Sequence, residues 1–437
     1  MVKRISTLRL IAAWLGALLG LSLLPVAVHA QSEGTVTYRI EPGDTLISLQ
    51  ERFLLGRGAY QRVARLNRIA NPRRIPVGTV ITVPRSLLAY RPASLTIYDF
   101  TGPVTIDGAP AQPNQIVGEG SVVRTGQDGF VSFEAERGGT IAIPSNTQAR
   151  LITSRIYRLR NMRDVEFRVL SGRSSVTAPA LQEGEVWNTS TPVAVTAVRG
   201  TEYRVGYLED IGRSVTEVLE GSVDVASGDE ESIASEGFGI TASENGLGAV
   251  EELLPPAEIV DGTSTQTGED VTFTIVPPDG AVAVRTQIAR DAGFLEMVAS
   301  EISDGDVTFT DLPNGNYNVR SRGISADGLE GLAEASNFRR KRLGATPSIE
   351  PSFIEDGVRF RWSAQGEGVI HFAFQLWREG ESDTPLIDEI ALPGSATVVT
   401  GLETGRYIWR VAAVQADPED GLLKVWGAET PLNYSAE

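Results

Sequence analysis

The stretch Val36-Thr37-Tyr38-Arg39-Ile40-Glu41-Pro42-Gly43-Asp44-Thr45-Leu46, answered further on by Val80-Ile81-Thr82-Val83-Pro84, decides the reading of the amino-terminal end. Residues 36–40 alternate as a strand, and Glu41-Pro42-Gly43-Asp44-Thr45 makes a turn. Asp44 or Thr45 can cap a helix that runs on through Leu46, Leu49 and Phe53. Residues 60–67 predict a second helix with Val63, Ala64 and Leu66 as its buried face. Asn71-Pro72 breaks that helix, because the residue before a proline is pushed out of the helical region. Residues 80–84 give a second strand. The order strand, helix, helix, strand predicts a small α+β (βααβ) module over 36–85.

Working outward, charge separates this module from the rest. It holds nine arginines against Glu41, Asp44 and Glu51, a local balance of +6, while the whole chain carries −17. A basic module on an acidic chain suits a partner with anionic or hydrogen-bond-accepting groups, although a solvated helix face explains the same arginines. The acidic remainder argues against nucleic acid as a partner of the whole protein.

Upstream, Lys3, Arg4 and Arg9 precede an apolar run from Leu10 to Val28, and Val28-His29-Ala30 offers the small residues of a signal-peptidase site. Residues 1–30 are therefore expected to be a secretory signal, with a retained membrane anchor as the competing reading. Cleavage removes three cations and no acid, so the mature charge is −20. No later stretch is apolar enough to span a bilayer as a helix. A periplasmic or secreted, wall-associated protein without a transmembrane segment is the expectation.

Downstream, short runs of Val, Thr, Ile, Tyr and Phe are broken by Gly, Asp, Asn and Pro, which predicts a multidomain, mainly β chain. Residues 93–250 are densest in such runs, with turns at Asp107-Gly108, Asp128-Gly129 and Gly138-Gly139, and predict a sandwich or barrel-like sheet. Residues 253–261, with Pro255-Pro256, read as a linker. Residues 262–342 and 347–434 read as two β-sandwich modules. Asp311-Leu312-Pro313-Asn314-Gly315-Asn316-Tyr317-Asn318-Val319-Arg320 in the first parallels Leu402-Glu403-Thr404-Gly405-Arg406-Tyr407-Ile408-Trp409-Arg410-Val411 in the second, which suggests duplication. Trp362, Trp377 and Trp409 read as core aromatics rather than a sugar platform.

The segment 36–85 resembles the LysM family, through Tyr38-Arg39-Ile40-Glu41-Pro42-Gly43-Asp44-Thr45-Leu46, Leu66-Asn67, Asn71-Pro72 and Ile75-Pro76-Val77-Gly78-Thr79-Val80-Ile81-Thr82-Val83-Pro84. The resemblance implies binding of peptidoglycan or a related N-acetylglucosamine polymer. It places the site on two loops: Pro42, Gly43, Asp44, Thr45 and Leu46, and Asn71, Pro72, Arg73, Arg74 and Ile75. An N-acetyl group presents a carbonyl acceptor and an amide donor that turn backbone can meet, and Arg73 and Arg74 can add bonds to hydroxyls or carboxylates. The sequence departs from the family at Ile47-Ser48-Leu49 and across residues 54–59, which bears on affinity and preference. The plain structural reading is that Gly43, Asp44 and Asn71 serve only turns and caps.

The region 93–250 resembles the FecR family, through Gly102-Pro103-Val104-Thr105-Ile106-Asp107-Gly108, Val123-Arg124-Thr125-Gly126-Gln127-Asp128-Gly129, Val195-Thr196-Ala197-Val198-Arg199-Gly200-Thr201-Glu202-Tyr203-Arg204-Val205 and Val218-Leu219-Glu220-Gly221-Ser222-Val223. That resemblance implies a β-rich periplasmic interaction domain. Control of a sigma factor is not expected, because only about nine residues precede the apolar run that would have to span the membrane. Gly200 is expected in a turn or bulge, with Arg199 and Glu202 as a strand-end pair. The two carboxy-terminal modules resemble fibronectin type III or similar immunoglobulin-like domains.

Chemistry-bearing constellations are sparse. There is no cysteine and, past the signal, one histidine, His371, in an apolar run. Thiolate chemistry is excluded, a zinc or copper site is not expected, and no nucleophile elbow accompanies the histidine. Asp304-Gly305-Asp306 reads as a hairpin turn before a calcium site. The expectation is no catalytic residue, no metal and no cofactor. The leading reading is a non-enzymatic envelope scaffold that holds peptidoglycan and presents β-rich surfaces to another envelope protein. The alternatives are a periplasmic sensory or regulatory protein that reads a ligand or partner through its FecR-like region, and an unrecognised cell-wall hydrolase.

Overall fold

The computed structural model describes residues 34–198, 200–348, 352–354, 357–381, 384–418 and 421–435. The expected signal at 1–30 and Arg199 lie outside the described residues. Two compact units result, one ending at Leu88 and the other beginning at Ala89.

In the first unit, β1 (Thr35–Arg39) pairs antiparallel with β2 (Val80–Pro84), Thr37 facing Thr82. The period-2 alternation buries Val36 and Tyr38 on one strand and Ile81 and Val83 on the other. Helix α1 spans Leu46–Phe53 and α2 spans Ala59–Leu66. Thr45 is the α1 cap: its hydroxyl accepts from the Ser48 amide at 3.0 Å, and Ser48 Oγ accepts from the Thr45 amide at 2.9 Å. Two orphan donors of the first turn are thereby satisfied. The α2 start has no side-chain cap of its own, and Gln50 on α1 supplies one by accepting from the Tyr60 amide at 3.0 Å.

The core of this unit is Ile40, Leu46, Leu49, Ala59, Val63 and Ile81. Each large aliphatic side chain buried there contributes about 1.5–3 kcal/mol of transfer free energy. Leu66, expected inside, is 51% exposed, whereas Val63 and Ala64 are buried as expected. The reason is the neighbouring Asn67. Its side-chain amide donates to Thr82 O at 2.7 Å and its side-chain carbonyl accepts from Thr82 N at 2.7 Å, so Asn67 closes the end of α2 onto β2.

In the second unit, strands between Tyr90 and Glu252 close into a barrel of almost entirely antiparallel pairings. Its core holds Phe133, Leu151, Phe167, Trp187, Tyr203 and Val218. The long strand Arg163–Thr177 turns the corner. Its first half pairs with Gln148–Tyr157 and its second half with Glu202–Leu208. At Gly102 the φ is +66°, and a Cβ there would stand 2.1 Å from Asp128 O. A glycine of the first FecR-like motif thus touches the Asp128-Gly129 turn backbone to backbone, which only glycine permits.

Residues 253–261 depart from the linker reading. Leu253 and Ala257 are buried, and Glu258–Val260 pairs antiparallel with Val271–Val276. This is the first strand of a sandwich whose sheets run 258–260, 271–276, 307–309 and 297–303, 281–289, 315–325, 334–340. Phe273 meets Phe338 edge-on at 5.1 Å in its core. The second sandwich packs Phe360 against Trp409 at 4.9 Å and Phe374 at 5.0 Å, with Trp362, Trp377 and Trp409 all buried. The repeated Leu–Gly–Tyr element has one physical role in both copies. Tyr317 donates to Pro313 O at 3.0 Å and Tyr407 donates to Glu403 O at 2.7 Å, each pinning the corner four residues upstream.

Candidate functional site

The two turns singled out in the first unit lie against each other. The Leu46 amide donates to Pro72 O at 2.9 Å, which ties 42–46 to 71–75 through main chain. The 71–75 segment is a compact turn: Asn71 O accepts from the Arg74 amide at 3.1 Å and Asn71 Oδ1 accepts from the Arg73 amide at 3.0 Å. A third turn is held alongside, with Gly78 N donating to Ile40 O at 2.8 Å and Ile40 N donating to Thr79 O at 2.9 Å.

The side chains divide sharply in role. Asp44 Oδ2 accepts from the Tyr38 hydroxyl at 2.8 Å and the Glu41 amide at 2.9 Å, and Oδ1 takes an Arg52 Nη2 bond at 2.6 Å. Burial raises the Asp44 carboxyl, but the Glu41 amide, the Tyr38 hydroxyl and the Arg52 cation together hold it below its ordinary value. Burial first, and then the Asp44 hydrogen bond, push the Tyr38 phenol up to about 12. Asp44 is thereby a lock on the turn. Thr45 is spent on the helix cap, and the Leu46 side chain is fully buried. Asn71 and Pro72 shape the turn with their acceptors.

What remains open is backbone and two cations. Pro42 and Gly43 are exposed, and Gly43 has φ +91°, a conformation that costs a side-chain-bearing residue about 1–2 kcal/mol. Among the described residues the Gly43 and Ile75 amides make no hydrogen bond within the protein. Arg73 and Arg74 are exposed on the second turn. The arrangement offers unspent N–H donors on neighbouring turns, flanked by guanidinium groups.

Residues 38–84 match the LysM domain model. Residues 121–224 match the FecR protein model, within the barrel of the second unit. A comparison with the curated proteins finds no match. Among solved structures, the chain is similar to a candidate anti-sigma factor from Parabacteroides distasonis, at 17% identity over 30% of this chain and 59% of that one, with a TM-score of 0.26. The chain therefore spans 59% of the length of that protein. The chicken CNTN1 FN1–FN3 domains align at 12% identity over 71% of this chain and 95% of theirs, with a TM-score of 0.21. Fibronectin(III)-like modules of Clostridium thermocellum CbhA align at 13% identity over 41% and 94%, with a TM-score of 0.19.

Tyr38, Gln50, Arg52 and Asn67 complete the frame of the LysM module. Tyr38 and Asn67 stand within the motif; Tyr38 bonds Asp44 six residues on, whereas the Asn67 partner, Thr82, lies across the fold, where spacing along the chain assigns it no role. In the FecR-matching segment, Gly200 has φ +80° and a register shift follows between Glu202 and Tyr203. Thr201 Oγ1 donates to Ser222 O at 3.0 Å, and the buried Tyr203 hydroxyl meets Thr189 Oγ1 at 2.8 Å. These motif residues hold strands together. Arg204 instead turns to another module, donating to Glu330 O and Gly331 O.

His371 is exposed on its strand, and among the described residues no group of three or more His, Asp or Glu is placed to hold a metal ion. No described helix is long and apolar enough to cross a membrane.

Proposed function

We propose that the protein is an exported, non-enzymatic cell-envelope protein that grips N-acetylglucosamine-containing glycan, peptidoglycan above all, through the turns 42–46 and 71–75. The observation that carries this reading is the pair of unspent amides, Gly43 and Ile75, on two turns tied by the Leu46–Pro72 hydrogen bond. An acetamido carbonyl is a suitable acceptor for them, and neutral donors of this kind bind without titrating. Arg73 and Arg74 add contacts to hydroxyls or peptide-stem carboxylates. The locked side chains of Asp44 and Thr45 keep the turns in shape before the glycan arrives, so little conformational entropy is lost on binding. The domains at 93–250, 262–342 and 347–434 act as the presenting surface toward another envelope protein.

The test is co-sedimentation of the mature protein with purified peptidoglycan. Pelleting that disappears on removal of residues 31–90 supports the proposal, and equal pelleting after that removal rejects it.

The FecR match favours a second reading, in which the barrel receives a ligand or partner and the LysM module only fixes its place in the wall. Pull-down from envelope extract with the chain lacking 31–90 tests this second reading: loss of every specific partner rejects reception by the barrel.

A further inference from the structure

The barrel and the first sandwich meet around buried charge. Glu330, 1% exposed, lies within ion-pair reach of Arg173 Nε at 3.1 Å, Arg285 Nε at 2.7 Å and Arg322 Nε at 2.8 Å. Glu217, fully buried, pairs with Arg173 Nη1 at 2.9 Å and Arg204 Nε at 3.1 Å, and accepts from the Glu330 amide at 2.9 Å. Arg204 Nη2 also donates to Glu330 O at 2.5 Å and Gly331 O at 2.8 Å. Gln287 Oε1 accepts from Arg320 Nε at 3.0 Å and Nη2 at 2.9 Å, and from Arg322 Nη2.

The count does not balance. Five guanidinium groups, from Arg173, Arg204, Arg285, Arg320 and Arg322, stand over two carboxylates, and no described carboxylate pairs with Arg320. Glu202 and Asp291 act on Arg320 only at longer range, and Asp291 spends its oxygens on the Leu295 and Glu296 amides. Nη1 of Arg204, Arg320 and Arg322 and Nη2 of Arg285 have no hydrogen-bond acceptor among the described residues. All five arginines line one cavity, with about 20 Å³ of room for a solvent-sized particle.

We propose that this cavity is a binding site for a monoatomic anion of chloride size, which joins the barrel to the first sandwich by neutralising their facing arginines. The room is that of about one solvent particle, which suits a single-atom anion better than phosphate, sulfate or an organic carboxylate. Uncompensated like charge at a buried junction is costly, so an anion there is held strongly. The crowding is visible in the side chains. Burial, and next the Arg204 cation, push Arg320 down to about 10, and burial outweighs the Glu330 attraction at Arg322, with Arg204, Arg320 and Arg285 adding to the depression. The ring of Phe294, 3.9 Å beneath the Arg320 guanidinium, shields one face of that group from water.

The test uses the full chain. Crystals soaked in sodium bromide are expected to give an anomalous peak within hydrogen-bonding reach of Arg320 and Arg322, and absence of a peak there overturns the proposal. In solution at fixed ionic strength, replacing gluconate by chloride is expected to raise the unfolding temperature by about 2 °C or more, and Arg320→Gln to abolish that gain. An equal gain in wild type and variant, or none in wild type, overturns it. Should Arg320→Gln not fold, the bromide peak together with the wild-type chloride response decides.

Discussion

The LysM module and the junction between barrel and sandwich use arginine in opposite ways. In the module, Arg73 and Arg74 are exposed and Arg52 closes a turn from the surface, so charge there is screened and inexpensive. At the junction, Arg173, Arg204 and Arg322 are less than a tenth exposed and converge on Glu217 and Glu330. The contrast teaches where recognition and rigidity reside. The candidate glycan site offers neutral backbone donors on locked turns, whereas the junction spends its charges on holding two modules as one body. Apolar contacts reinforce that body: Phe130 of the barrel clusters with Phe294 and Met297, and Val215 and Leu253 with Leu329.

The sharpest way to break this comparison is Glu330→Ala. It leaves Arg173, Arg285 and Arg322 buried without their shared partner, with an expected loss of about 3–5 kcal/mol in the unfolding of the second unit. Calorimetry of the full chain checks it, and a loss confined to surface-pair size would mean the junction is solvated. Next is Asn67→Ala, which strips Thr82 of both main-chain partners. A loss of about 2–3 kcal/mol is expected in the LysM module alone, read as a shift of its own unfolding transition.

Gly43→Ala follows. Nothing crowds the position, so the expected cost of about 1–2 kcal/mol is conformational. Glycan affinity should fall with it, because the turn relaxes away from φ +91°. A smaller effect comes from Asp44. Its folded-state carboxyl is held below the ordinary value, so its contribution is present above about pH 4 and is lost as pH falls through the folded value. Asp44→Asn should flatten the module's unfolding temperature against pH over that acid range. Smallest is Arg73→Ala with Arg74→Ala. Stability should stay within about 0.5 kcal/mol of wild type, while pelleting with peptidoglycan weakens, most clearly at low salt.

The same contrast explains what was legible in the sequence. The βααβ order was readable because its signals are local: alternation in 36–40, the Thr45 cap, the Asn71-Pro72 break. The paired Tyr317 and Tyr407 corners were readable as a repeat. Leu66 misled because helical spacing does not report that the neighbouring Asn67 takes the contact with Thr82. The junction was unreadable. Arg173, Arg204, Arg285, Arg320 and Arg322 occupy positions in alternating strands where a charged residue ordinarily marks the solvent face. Only the approach of a second module turns that face inward. Residues 253–261 misled likewise, since Pro255-Pro256 interrupts a segment whose Leu253 and Ala257 are nonetheless buried.

The proposed glycan contact resides in the unspent amides of two tethered turns. Hydrogen–deuterium exchange of the full chain, with and without chitooligosaccharide, tests it most directly. Slowed exchange is expected in peptides spanning 41–47 and 70–77, with the sandwich modules unchanged. Unaltered exchange in both turns at saturating sugar would contradict it.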